Sequence, residues 1–213
     1  MTNSVAELED SDILFVIGSN TTENHPVIAY LMKRAVKKGA KLIVCDPRRI
    51  DLCRWATHHV QQKVGTDVAL LNGLMNEIIA NDWHDKDFIE KHTEDFETLR
   101  KNVENYPLDR VSEITGVEVA LLREVAKILG TGGTAALCYT MGITQHTHGT
   151  DNVKCLANLA MITGNLGRAS TGVNPLRGQN NVQGACDMGG LPNVYPGYQP
   201  VTNEAAQEKF EQA

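Results

Sequence analysis

The chain has 213 residues, enough for a buried core, and its 42% apolar and 22% charged side chains are an ordinary globular balance that excludes wholesale disorder. Lys and Arg number 20 against 26 Asp and Glu, a net charge of −6. That excludes general nucleic-acid binding, which needs surplus cations to displace phosphate counterions, but leaves room for a local basic pocket.

No apolar run approaches the roughly 18 residues of a membrane span, so no direct membrane insertion is expected. The opening MTNSVAELEDSD has neither the basic start nor the apolar stretch of a signal peptide. Five cysteines (Cys45, Cys53, Cys138, Cys155, Cys186) are widely spread without a CxxC pair. They read as reduced thiols in a cytoplasmic chain rather than as a disulfide framework or a zinc or iron–sulfur ligand set.

In chain order, Asp12 to Ile17 (DILFVI) is an apolar run ending at Gly18, as a parallel strand covered on both faces requires. A helix is predicted from about Asn24 to Lys38, with Pro26 in its first turn, a basic last turn and Gly39 at its end. Lys41 to Cys45 is a second strand, stopped by Asp46-Pro47, and the three elements form a right-handed βαβ unit. A short helical piece follows near Arg48 to Trp55, then a brief third strand at His58 to Gln61. Thr66 is placed to cap a helix whose Val68, Leu71, Leu74, Met75, Ile78 and Ile79 give it a wide apolar face. Residues 82 to 115 read as short peripheral helices. Val117, Leu121, Val125, Ile128 and Leu129 recur at helical spacing, with Gly130 closing that helix. Thr134 to Thr140 is another buried strand, and Thr150 to Thr163 a helix ended by Gly164. Five of the 18 glycines precede residue 130, so the first part reads as packed α/β structure and the last forty or so residues as shaped loops.

Ligands bind beyond the carboxyl ends of strands in an open parallel sheet. Three such ends carry distinctive residues: Gly18-Ser19-Asn20, Cys45-Asp46-Pro47-Arg48, and Met141-Gly142 with Gln145. Gly18 permits close backbone approach, Asn20 offers both a donor and an acceptor, Asp46 could accept from ribose hydroxyls or purine amino groups, and Arg48 could pair with phosphate. GSNTTE has only one glycine and is not the GxGxxG dinucleotide fingerprint, so an ordinary NAD site is unsupported. Gly18 and Asp46 also suit plain strand ends and turns, a reading that spacing alone leaves open. His58-His59 point to opposite faces of a strand, and His146 and His148 lack a neighbouring carboxylate or thiolate partner, so no metal ligands are assigned. Gly172 to Gly190 (GVNPLRGQNNVQGACDMGG) has neither helix nor strand period but is crowded with amide side chains and glycine, as suits a loop wrapping a large polar ligand. Arg177 offers a fork that can hold a carboxylate in bidentate fashion, or is a solvated surface charge.

VIGSNTTENHP, AKLIVCDPRR, GTDVALLNGL, MGITQHTHGTDNV and especially NPLRGQNNVQGACDMG followed by LPNVYPGYQPV resemble the catalytic subunits of molybdenum- or tungsten-dependent formate dehydrogenases, from about Leu8 to Val201. The resemblance implies a Rossmann-like α/β fold, a mostly parallel sheet flanked by helices, with a long irregular C-terminal segment facing the cofactor. Residues 1–170 would form the dinucleotide-binding domain and 171–213 a loop-rich active-site segment leading into a further domain. The implied cofactor is bis-molybdopterin guanine dinucleotide with Mo or W. Gly18, Ser19 and Asn20 would lie against one dinucleotide, Cys45, Asp46 and Arg48 around its guanosine part, followed by Gly65, Asp67, Met141, Gly142, Gln145, Gly178 and Gln179. Arg177 matches the arginine taken to hold the formate carboxylate. The partners implied are formate, the remaining domains of the same subunit and electron-acceptor subunits.

In that family a cysteine or selenocysteine followed by histidine ligates the metal, and a four-cysteine iron–sulfur motif lies upstream. Neither is found in this sequence, so the chain is expected to be an internal piece of the enzyme, inactive alone, with any export signal on the preceding part. Two alternatives stay open: a piece of another bis-molybdopterin oxidoreductase of the nitrate reductase type, and a non-catalytic guanine-nucleotide module. The second lacks a GxxxxGK[ST] phosphate loop.

Overall fold

The computed structural model describes residues 1–212 and divides them into two compact units, Met1–Leu176 and the residues from Arg177 onward. The first unit runs β1 (Ile13–Ile17), α1 (Thr21–Asn24), α2 (Pro26–Lys37), β2 (Lys41–Cys45), β3 (His58–Val60), α3 (Asp67–Ala80), α4 (Lys86–His92), α5 (Phe96–Val103), α6 (Leu108–Thr115), α7 (Val119–Thr131), β4 (Ala135–Tyr139), α8 (Met141–Thr144), α9 (Gly149–Ile162) and β5 (Gly172–Pro175). The second holds α10 (Val182–Asp187), the strand pair β6 (Val194–Tyr195) and β7 (Gln199–Pro200), and α11 (Glu204–Glu211). No described helix is long and apolar enough to cross a membrane.

The five strands of the first unit form one sheet, in the order β3-β2-β1-β4-β5, and every pairing is parallel. The fold is therefore α/β with helices on both faces. Alternation along β1 shows how the strand serves two cores at once. Ile13, Phe15 and Ile17 point into a cluster with Leu70 and Leu74 of α3, Leu122 and Val125 of α7, and Leu156 and Leu159 of α9. Leu14 and Val16 point the other way, against Met32 and Ala35 of α2 and Leu8 of the N-terminal 3₁₀ turn. All five β1 side chains are fully buried, which is why the strand reads as an uninterrupted apolar run rather than an alternating one.

The register makes the strand ends flush. Ile17 is paired with Cys45 on one side and with Tyr139 on the other, so Gly18, Asp46 and Thr140 leave the sheet at one level. The chain steps from β1 outward to β2 and β3, and later from β1's other side to β4 and β5. Where the order reverses, between β1 and β4, the loops diverge to opposite faces and open a crevice.

Several expected elements need correction. The helix expected from about Asn24 to Lys38 is α2, Pro26–Lys37; the additional turn α1 precedes it and is separated from it at His25, with φ −139°. His25 precedes Pro26, whose ring crowds the preceding residue out of helical geometry. Gly130 does not close its helix: α7 continues to Thr131 and Gly132 follows as its C-cap. Gly130 is instead a packing position, where a Cβ would sit 2.6 Å from Cβ of Trp83. Thr66 stands at the start of α3, but its hydroxyl donates to the Lys63 carbonyl at 2.7 Å instead of capping the helix. The helical piece near Arg48 to Trp55 is a 3₁₀ turn over Asp51–Arg54. The segment from Gly172, read as having no regular period, contains β5, a parallel partner of β4, and then α10. A four-residue strand and a six-residue helix are too short to express a period.

Candidate functional site

A cavity of about 300 Å³ lies at the carboxyl edge of the sheet. Its wall comes from four strand ends. Gly18 and Asn20 follow β1; Asp46, Pro47 and Arg48 follow β2; Gln62, Lys63, Val64, Gly65 and Asp67 follow β3; and Thr140, Met141, Gly142 and His146 follow β4, with Asn24 adding from α1. Of the sequence-predicted residues, Gly18, Asn20, Asp46, Arg48, Gly65, Asp67, Met141 and Gly142 are brought together here.

The floor is closed by backbone contact. Gly142 N–H donates to the Gly18 carbonyl at 3.2 Å, and the Thr140 hydroxyl donates to the same oxygen at 2.6 Å. A Cβ on Gly142 would stand 2.5 Å from that oxygen, and one on Gly18 would stand 2.7 Å from the Gly142 carbonyl carbon. Gly18 also has φ +58°, a left-handed conformation that glycine adopts without strain.

Polarity is sorted by depth. Asp46, Gln62 and Asp67 are buried, at 4%, 3% and 5% exposure. Asp46 Oδ1 accepts the Arg48 backbone N–H at 2.8 Å, and the Arg48 Nε lies 3.5 Å from the same oxygen. The Asp46 carbonyl is in hydrogen-bond contact with His59 Nε2 at 3.1 Å. Gln62 Nε2 donates to Asp67 Oδ1 at 3.2 Å, leaving Gln62 Oε1 buried without a partner among the described residues. Asn20 Oδ1 is buried and unpartnered in the same way. Buried oxygens left without donors are costly in a finished fold, and two of them belong to residues that line this cavity. Arg48 is exposed and places positive charge beside Asp46, while Lys63, also exposed, turns its ammonium to the Glu113 carbonyl at 3.4 Å. The arrangement suits a ligand with a donor-rich planar head and an anionic tail.

Ser19, Cys45 and Gln145 are placed differently. Ser19 is buried and shares a 2.9 Å hydrogen bond with the Thr21 hydroxyl. Cys45 is fully buried in the core, and burial pushes its thiol well above the ordinary value, with the charges of Asp67 and Asp46 adding to the effect. Gln145 is exposed at the end of α8. None of the three is among the cavity's lining residues.

Sequence reasoning missed Gln62, Lys63, Val64, Thr140 and His146. The signal for the first three was the strand-end rule itself, applied to β1, β2 and β4 but not to the three-residue β3. His146, which the sequence offers only as a metal-ligand candidate, has its Nε2 against the Gly142 carbonyl at 2.8 Å and helps shape the loop. Among the described residues no group of three His, Cys, Asp or Glu side chains could hold a metal ion.

The second unit carries Arg177, Gly178 and Gln179 ahead of α10. Arg177 Nη1 donates to Cys186 Sγ at 3.4 Å. The Gly197 N–H donates to the Asp187 carbonyl at 2.8 Å, which ties the β6–β7 turn to the end of α10. Tyr198 in that turn donates its hydroxyl to Asp187, and the bond raises the phenol above its usual range.

Residues 1–212 match the family described as molybdopterin oxidoreductase. The chain belongs to the molybdopterin oxidoreductase family. Within it, the chain is 54% identical over 201 residues to the F420-dependent formate dehydrogenase subunit alpha of Methanocaldococcus jannaschii, covering 94% of this chain and 30% of that one. It is 46% identical over 213 residues to formate dehydrogenase H of Escherichia coli, covering 100% and 30% respectively. The solved structure of acetylene hydratase from Pelobacter acetylenicus superposes with a TM-score of 0.72 at 29% identity, over 79% of this chain and 25% of that one. The chain thus spans about 30% of the length of the curated relatives it matches.

Proposed function

We propose that this molybdopterin oxidoreductase chain is the part of a formate dehydrogenase catalytic subunit that holds one pterin–guanine dinucleotide and presents Arg177 to formate. The observation carrying the first half is the cavity at the β1–β4 reversal, with its Gly18–Gly142 floor and the unpartnered buried oxygens of Asn20 and Gln62. Guanine offers adjacent N–H donors on one edge, and the buried Asp46, Asp67, Asn20 and Gln62 oxygens are acceptors. The exposed guanidinium of Arg48 suits phosphate. These residues fit the dinucleotide, and the ribose and base would be held by charge-assisted bonds to carboxylates in a partly dry site. The 46–54% identity to relatives named as formate dehydrogenases supports the substrate.

When bound, the metal–pterin group would accept two electrons as formate becomes carbon dioxide with release of one proton. The chain's own contribution is binding and orientation. The planar guanidinium of Arg177 would pair both formate oxygens, aiming the C–H bond; holding a reactant in attack geometry accounts for a large share of many enzymatic rates. The remaining domains, the iron–sulfur cluster and the electron acceptor would belong to the rest of the enzyme. Residues up to about 170 would serve as the dinucleotide-binding part and those beyond as the active-site segment.

The test is a chimera in which this chain replaces the matching 30% of E. coli formate dehydrogenase H. Formate-dependent reduction of a viologen dye is expected to persist, and Arg177→Lys in the chimera to raise the KM for formate at least tenfold. A chimera that loads the cofactor but reduces nitrate rather than oxidising formate would overturn the reading.

A further inference from the structure

Helix α8 is a single turn, Met141–Thr144, and it carries Met141 and Gly142 into the cavity wall. So short a helix cannot satisfy its own carbonyls. Two side chains from beyond the turn do so. His146 Nε2 meets the Gly142 carbonyl at 2.8 Å, and Asn152 Nδ2 donates to the Ile143 carbonyl at 2.9 Å.

Asn152 is out of place by ordinary rules. It lies in the first turn of α9, 97% buried, on a helix whose inward positions are otherwise apolar or small, such as Cys155, Leu156 and Leu159. Burying an amide is costly unless it is bonded. Packing alone would favour Leu. The bond to Ile143 is the compensation, and it fixes the helix α9, anchored in the core, to the one turn that meets Gly18.

We infer that Asn152 is a positioning residue for the cavity: it touches no ligand, but sets the α8 turn so that the Gly142 backbone stays against Gly18 and the β4 wall keeps its shape. This rests on the nucleotide reading given above.

GDP is the probe, with binding to the chain measured by calorimetry and amide hydrogen exchange followed across Met141–Gln145. Asn152→Ala removes the donor. Asn152→Asp keeps the shape but sets an acceptor against the carbonyl. Both are expected to weaken GDP binding about tenfold and to speed exchange in that segment by a similar factor, as loss of one buried hydrogen bond implies. Leu156→Ala, on the same helix and fully buried, is the stability control. It should lower the melting temperature while leaving GDP affinity and exchange at Met141–Gln145 unchanged. Exchange unchanged in both Asn152 variants would overturn the inference, as would an Asp variant that behaves as wild type. Wild-type chain that fails to bind GDP would overturn the nucleotide reading instead, and the exchange data would still decide the role of Asn152 in holding the turn.

Discussion

Gly18 and Gly142 meet backbone to backbone, with the Gly142 amide on the Gly18 carbonyl at 3.2 Å and no room for a Cβ on either residue. They are 124 positions apart, each one or three residues beyond the end of a central strand, and the contact forms where the sheet order reverses. The geometry lets two loops that diverge to opposite faces share a floor.

Gly142→Ala therefore tests the floor directly. The new methyl would stand 2.5 Å from the Gly18 oxygen and 2.7 Å from its Cα, both backbone atoms that no side-chain rotation can move aside. The loops must separate. We expect a stability loss of about 1–3 kcal/mol, the usual range for overpacking, and at least tenfold weaker GDP binding. Thermal melts and calorimetry check both. An Ala variant that binds as wild type would show that the contact is not part of the site.

Asp46 and Arg48 separate affinity from stability. The Arg48 side chain is 70% exposed and its ion pair with Asp46 is long at 3.5 Å, so the pair contributes at most about 1 kcal/mol to folding. Arg48→Met is expected to leave the melting temperature nearly unchanged and to weaken GDP binding several-fold, with a shallower dependence on salt. Asp46→Asn keeps the acceptor for the Arg48 amide, so it too should fold; its lost charge should appear in affinity. A large stability loss in Arg48→Met would contradict the assignment of its charge to the cavity mouth.

Much of the fold was legible because a sheet buried on both faces writes itself as apolar runs: ILFVI, KLIVC and AALCY are the three central strands. Strand-end residues such as Gly18, Asp46 and Gly142 were legible for the same reason, since a recognisable strand fixes where its carboxyl end lies. What escaped depended on distant contacts. Gln62 becomes a site residue only because the three-residue β3 pairs beside β2, and its amide has meaning only against Asp67. Cys45, which the resemblance sets beside the guanosine part, has its thiol turned by alternation into the core. The β5 strand was hidden because four residues containing Gly, Asn and Pro carry no strand signature until β4 supplies the partner.

The buried thiols give a pH prediction. Burial pushes Cys138 up to about 12 and Cys155 up to about 11, the charge of Asp151 adding to the latter, against an ordinary value of 9.0. Both are neutral in the folded chain at pH 8, and their modification by a disulfide reagent should require unfolding. Above pH 9 the unfolded chain ionises these thiols while the folded chain does not, so the unfolded state binds fewer protons and stability falls as pH rises from 9 toward 12. Urea melts at pH 7, 9 and 10.5 should show that decline. Cys138→Ala, at a site where β4 already carries alanines, should make it shallower. Rapid labelling of all five thiols in the native state would refute the burial assignment.

Asn165 supports the entry to β4 from a distance of thirty residues. Its Oδ1 accepts the Ala135 N–H at 2.8 Å, its Nδ2 donates to the Thr163 carbonyl and hydroxyl at 3.2 and 2.9 Å, and the side chain is 1% exposed. Ala135 is the first residue of the strand whose far end supplies Thr140, so an error here propagates along the sheet to the cavity wall. Asn165→Ala would leave the Ala135 N–H buried and unpaired, at a cost of about 1–3 kcal/mol. Asn165→Asp retains the acceptor for the Ala135 N–H but sets a buried carboxylate oxygen against the Thr163 carbonyl, so it should recover only part of that cost. The discriminating measurement is the pair of urea-denaturation curves at pH 7 with unchanged slope. If the Ala variant is as stable as wild type, the amide of Ala135 must find water, and the strand entry is open rather than sealed.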